Sequence, residues 1–91
     1  MNPQIKEQED FLLLEELENQ HCIVLHNDEV NTFDYVIESL MEVCEHQPEQ
    51  AEQCTMIIHF NGKCEVKTGE INDLIPRCQE LLRRGLSAEI V

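Results

Sequence analysis

His21-Cys22-Ile23-Val24-Leu25-His26-Asn27-Asp28, followed by Asn31-Thr32-Phe33-Asp34-Tyr35-Val36-Ile37, is the stretch on which the fold turns. Its first part is apolar and β-branched and stops abruptly at Asn-Asp, which reads as a short buried strand ending in turn formers. From Asn31 the period changes. Phe33, Val36, Ile37, Leu40, Val43 and Cys44 share one helical face, with Asp34, Glu38, Glu42 and Glu45 opposite, so an amphipathic helix follows the turn. Asn31 suits the N-cap, because its side chain can accept from a free amide of the first turn, and Asp34 stands at the reciprocal capping position.

Working outward, Pro48 at a first helical position opens a second helix, in which Ala51, Cys54 or Thr55, Ile58 and Phe60 recur at helical spacing before Asn61-Gly62 ends it. Met56 to Phe60 alone fits a strand equally well, and the polar run Pro48 to Gln53 upstream favours helix. Lys63 to Lys67 alternates as a strand does. Thr68 or Asp73 caps a third helix carrying Leu74, Cys78, Leu81 and Leu82 and ending near Arg83-Arg84-Gly85. Pro76 decides between the caps: within the first turn it loses no hydrogen bond, whereas in a helix interior it costs about 3 kcal/mol, so the regular helix is expected to start near Asp73. Leu86 to Val91 reads as a last strand. The expected class is α+β, a three-stranded antiparallel sheet against three helices in the order β-α-α-β-α-β.

Ninety-one residues leave room for one core. Residues 1–18, with one Lys against six acids, read as a flexible acidic tail, and residues 19–91 as the folded domain. Nineteen acidic residues against six basic ones give a formal charge of −13, a field that repels phosphate backbones, so nucleic acid is not an expected partner. No apolar run approaches the ~20 residues of a membrane helix, and the N-terminus lacks the basic start and apolar centre of a secretory signal. No membrane partner and a cytoplasmic location are therefore the expectation.

Chemistry finds few handholds. Five cysteines, at 22, 44, 54, 64 and 78, form no C-x-x-C pair and suit neither a disulfide framework nor a zinc ribbon, so they read as small buried hydrophobes. Cys44-Glu45-His46 suggests a thiol–imidazole pair, but residues two apart on a helix face different ways. His21 and His26 with nearby acids have no diagnostic metal spacing. There is no G-x-S-x-G, no phosphate-binding glycine loop and no H-E-x-x-H; no catalytic residue, metal or cofactor is expected. What remains is the polar corner His26-Asn27-Asp28-Glu29 in front of a helix, and His59 in the otherwise apolar Ile57-Ile58-His59-Phe60. Each has a plain structural reading, a turn with its cap and a core histidine.

Together, however, Val24-Leu25-His26-Asn27-Asp28-Glu29, Asn31 to Ile37 and His59-Phe60-Asn61-Gly62-Lys63 resemble the ClpS family, the adaptors that deliver N-degron substrates to the Clp AAA+ protease. The likeness spans residues from about 20 to 91. It implies a ClpS-like fold and a non-enzymatic adaptor that binds a free α-amino group beside a bulky apolar N-terminal side chain, with a ClpA- or ClpC-type unfoldase as partner. By the same resemblance Asn27, Asp28 and His59 would hold the α-amino group. Phe33, Val36, Thr55, Ile58 and Leu86 would line the side-chain slot, and Asn31 would meet the backbone of the second residue. Glu70 would contribute to docking on the unfoldase, and the acidic tail to substrate transfer. An ammonium does need acceptors and negative potential, which this set offers.

Departures from the family pattern are also plain. Its T-P-M segment is Asn31-Thr32-Phe33 here, so a stiff aromatic replaces the Met that gates the slot. Its third helix is shortened and carries Pro76, and Ile75 stands near its docking Lys. Two other readings are carried beside the adaptor: a regulatory module that docks on the unfoldase without reading N-termini, and a small thiol or metal enzyme. A monomer is expected.

Overall fold

The computed structural model describes residues 20–91, which run β1 (Gln20–His26), α1 (Phe33–Cys44), α2 (Pro48–Asn61), β2 (Lys63–Glu70), α3 (Ile71–Arg83) and β3 (Ser87–Ile90). The expected element order and α+β class are those observed; the acidic tail expected over residues 1–18 lies outside the described residues. β1 is the middle strand, antiparallel to β2 on one side and β3 on the other. Ile23 and Leu25 are fully buried and join Leu40, Ala51, Ile58, Val66, Leu74 and Leu81 in one core drawn from the sheet and all three helices. Burying each such side chain contributes about 1.5–3 kcal/mol. Val24, between them, stands opposite Glu65 and Glu89. The β1–β2 ladder shifts between Ile23 and Val24, where Ile23 faces Lys67 and Val24 faces Glu65, leaving Val66 as the extra residue of a bulge.

The register decides where the site lies. His26, the last residue of β1, pairs with Lys63, the first of β2, and with Ser87, the first of β3. The turn that leaves β1, the turn that enters β2 and the residue that enters β3 therefore meet at one end of the sheet. Backbone bonds fasten them: Asn27 N–H donates to the Gly62 carbonyl at 2.8 Å, and Leu86 N–H to the Leu81 carbonyl at 3.0 Å. Gly62 closes α2 in the left-handed region at φ 91°, which a glycine adopts without the Cβ penalty.

Four local expectations are corrected. The N-cap of α1 is Thr32, whose Oγ1 accepts from Tyr35 N–H at 3.2 Å, not Asn31, because α1 starts one residue later, at Phe33, and the Asn31 side-chain nitrogen donates to Asp28 and to the Gly85 carbonyl. α3 starts at Ile71, with Glu70 in the cap position and no side-chain cap, so Pro76 lies inside the helix. The reason is that β2 stays paired through Glu70 instead of stopping at Lys67, and Leu74, fully buried, must turn inward at once. β3 is shorter than expected, Ser87–Ile90. Finally, Phe60 and Leu82, expected on buried helix faces, are exposed.

Candidate functional site

At the end of the sheet where β1, β2 and β3 meet, a pocket of about 490 Å³ opens between the β1–α1 turn, the start of α1, the second half of α2 and the entry to β3. Of the residues singled out in the sequence, Asn27, Asp28, Asn31, Phe33, Val36, Thr55, Ile58, His59 and Leu86 all line it. Leu25, His26, Glu29 and Thr32 complete the lining. Glu70 does not belong: it pairs with Gln20 at the opposite end of the sheet and is exposed.

The pocket has a graded wall. Leu25, Thr55, Ile58 and Leu86 are buried and form its floor; Asn27, Glu29 and His59 are exposed and form its rim. The floor follows from the core, since Ile58 and Leu86 pack in the same apolar cluster as Leu25. Thr55 is admitted there because its hydroxyl donates to the Ala51 carbonyl at 2.7 Å, which relieves the cost of burying it. Phe33, 38 % exposed, stands edge-on to His59 with ring centroids 5.3 Å apart, and His59 meets Phe60 likewise at 5.0 Å. Such edge-to-face pairs restrain the rings that form one lip.

The rim's acid is built into the turn. Asp28 Oδ1 accepts from the backbone N–H of Val30 at 2.9 Å and of Asn31 at 2.7 Å, and Asp28 Oδ2 accepts from Asn31 Nδ2 at 2.9 Å. Partial burial raises the Asp28 carboxyl, but the bonds from Asn31 and Val30 outweigh it and hold it below the usual carboxylate value. Asp28 is thus an anion with fixed orientation. Asn31 Nδ2 also donates to the Gly85 carbonyl at 3.0 Å, which leaves its Oδ1 as the acceptor it turns to anything else. Tyr35, absent from the sequence-derived site, does a matching job: its hydroxyl donates to the Arg84 carbonyl at 2.8 Å. These two bonds tie the α3–β3 connection to α1 and so fix Leu86 in the floor. Neither was legible, because each partner is a backbone carbonyl about fifty residues away.

The alternative chemistry fares poorly. Burial pushes the Cys44 thiol up to about 11, far from the thiolate a nucleophile needs. His46 lies beyond the end of α1, buried, with Nε2 donating to the Val66 carbonyl and, among the described residues, no partner for Nδ1. Burial, with the neighbouring Cys54 thiol, likewise raises Cys64 to about 11. Among the described residues no three His, Cys, Asp or Glu side chains group as a metal site would require, and no helix is long and apolar enough to cross a membrane.

Comparison with known proteins gives three findings. The family model described as "ATP-dependent Clp protease adaptor protein ClpS" matches residues 16–89. The ClpS adapter protein of Campylobacter jejuni is 43 % identical over 51 residues, 54 % of this chain and 53 % of that protein, so the chain spans about half the length of the first such relatives it matches. That of Synechococcus elongatus is 37 % identical over 73 residues, covering 78 % of this chain and 76 % of its own. The solved structure of Agrobacterium tumefaciens ClpS2 bound to L-phenylalaninamide superposes with a TM-score of 0.76 over 80 % of this chain and 95 % of that one; at 18 % identity it shows a shared fold.

Proposed function

The chain belongs to the ClpS family of ATP-dependent Clp protease adaptors, and from that premise we propose that it binds proteins bearing a free, bulky hydrophobic N-terminal residue and delivers them to a Clp AAA+ unfoldase. In this reading it is not an enzyme: it acts as a cytoplasmic monomer, without cofactor or metal, with an unfoldase of the ClpA or ClpC type. The observation that carries the proposal is the graded pocket, in which an apolar floor lies below a rim holding an oriented carboxylate, an amide and an imidazole.

An α-ammonium brings three N–H donors and a positive charge, and an acceptor rim satisfies both. Asp28 supplies the charge, Asn27 its amide oxygen, and His59 a lone pair when its ring is neutral. The N-terminal side chain then descends into the slot of Phe33, Val36, Thr55, Ile58 and Leu86, where burying a large apolar group is worth about 1.5–3 kcal/mol. Asn31 Oδ1 is left to accept from the backbone N–H of the second residue. An internal segment has no ammonium, and an acetylated terminus has lost its charge, so both should be rejected. L-phenylalaninamide, to which the Agrobacterium protein is bound, carries a free α-amino group on a bulky apolar residue and supports the same assignment. Glu70, far from the pocket, is available to a second surface, which suits a docking contact with the unfoldase. The residues of the tail would assist transfer.

The test is direct. Phe- and Leu-initiated peptides should bind at least tenfold tighter than their acetylated twins in calorimetric titration, and equal binding would exclude the degron reading in favour of a module that docks on the unfoldase without reading N-termini.

A further inference from the structure

The floor of the pocket is not uniformly apolar. Leu25, Ile58 and Leu86 offer only hydrocarbon; Thr55, 3 % exposed, is the one side chain of that buried set with a heteroatom. Its hydroxyl hydrogen is already committed to the Ala51 carbonyl at 2.7 Å. A hydroxyl oxygen that donates keeps acceptor capacity and becomes a somewhat better acceptor for doing so. Among the buried side chains that line the pocket below the rim, the Thr55 oxygen is therefore the one side-chain acceptor available to the tip of an N-terminal side chain.

Resting on the N-terminal reading above, we infer that Thr55 makes this slot selective for an aromatic side chain with a hydrogen-bond donor at its tip, so that N-terminal Tyr is preferred over Phe. The phenolic O–H donates to Thr55 Oγ1, while the ring lies on Val36 and Ile58 as a Phe ring would. A slot of hydrocarbon alone would order the two the other way, because a buried phenol without a partner loses its bond to water. The hydroxyl of Thr55 is what reverses the order.

Four peptides of identical sequence after the first residue, beginning with free Tyr, free Phe, acetylated Tyr and acetylated Phe, are titrated into the full chain and into its Thr55→Val and Thr55→Ser variants. The Tyr-to-Phe ratio is the readout, so any change in affinity common to both peptides cancels. One neutral hydrogen bond corresponds to a ratio of about fivefold in the unaltered chain. That ratio should fall to one or below in Thr55→Val and persist in Thr55→Ser. A ratio of one or less in the unaltered chain overturns the inference without recourse to any variant. So does a fivefold ratio that Thr55→Val leaves unchanged, which would place the acceptor elsewhere. In both cases free peptides would still outbind acetylated ones, whereas loss of that difference would remove the N-terminal reading and this inference with it.

Discussion

Asn27 and Asp28 are neighbours in the same turn, yet the structure gives them different work. Asp28 receives three hydrogen bonds that hold the turn together, while the exposed Asn27 is held through its backbone, by the bond from its N–H to Gly62. Asn27→Ala should therefore weaken binding of a Phe-initiated peptide about tenfold with little change in melting temperature, as loss of one hydrogen bond to a charged group implies. Asp28→Ala should cost about 1–3 kcal/mol in chemical denaturation as well, since it strands the amides of Val30 and Asn31. The pH dependence of the Asp28 carboxylate has a definite sign. The Asp28 carboxyl is held below its ordinary value in the folded chain, so its stabilising bonds are complete above the ordinary carboxylate range, near pH 4, and are lost only as pH falls through the lower folded value. Between pH 8 and 5 it remains charged. His59→Ala should weaken binding of a Phe-initiated peptide in calorimetric titration with little change in melting temperature, since the ring is exposed at the rim.

Individual elements were legible where the signal was local. β1 ends at His26 because turn formers follow an apolar run, and α2 begins at Pro48 and ends before Gly62 as its sequence announces. Adjacent Asn31 and Thr32 both qualify as caps by residue type, and the choice fell to Thr32 because α1 begins at Phe33, while the Asn31 side-chain nitrogen reaches across to Gly85, a partner no local rule anticipates. Thr32→Ala should accordingly cost about 1 kcal/mol of stability in urea titration, the usual value of a lost cap. The position of Pro76 within its helix escapes local rules for a related reason: it depends on where β2 stops, and pairing with β1 carries β2 through Glu70. With the helix started at Ile71, Pro76 leaves the Asn72 carbonyl without its helical donor. Pro76→Ala should stabilise the chain by about 1–2 kcal/mol, the gain in the helix being partly offset by a freer unfolded state. The same denaturation measurement decides it.

Across the whole molecule, the pocket was readable as a set of residues but not as a shape. Periodicity placed Val36 and Ile58 on apolar helix faces, and the family likeness picked them out together with Leu86; nothing in the sequence revealed that Tyr35 and Asn31 anchor the segment that carries Leu86. Tyr35→Phe should weaken peptide binding a few-fold and cost about 1 kcal/mol of stability, because it removes the hydroxyl that serves the Arg84 carbonyl. Thermal melts read beside peptide titrations will distinguish this from simple unfolding. Charge also acts at this scale. A net −13 draws a cationic N-terminus toward the pocket, so association rates measured by stopped flow should decline as salt rises from 0.01 M to 0.15 M, over which the screening length contracts from about 30 to about 8 Å.

The two bonds that bind Arg84 and Gly85 to α1 have one more consequence. They make Leu86, near the far end of the sequence, a wall of a cleft whose opposite side is set by Asn27 and Phe33. A growing polypeptide that has emerged only through Gly62 owns the acceptors and every other lining residue, yet has no Leu86 to close the hollow. In the proposed reading, recognition is consequently all-or-nothing, and a fragment cut short before Leu86 should no longer distinguish a free N-terminus from an acetylated one in peptide titration.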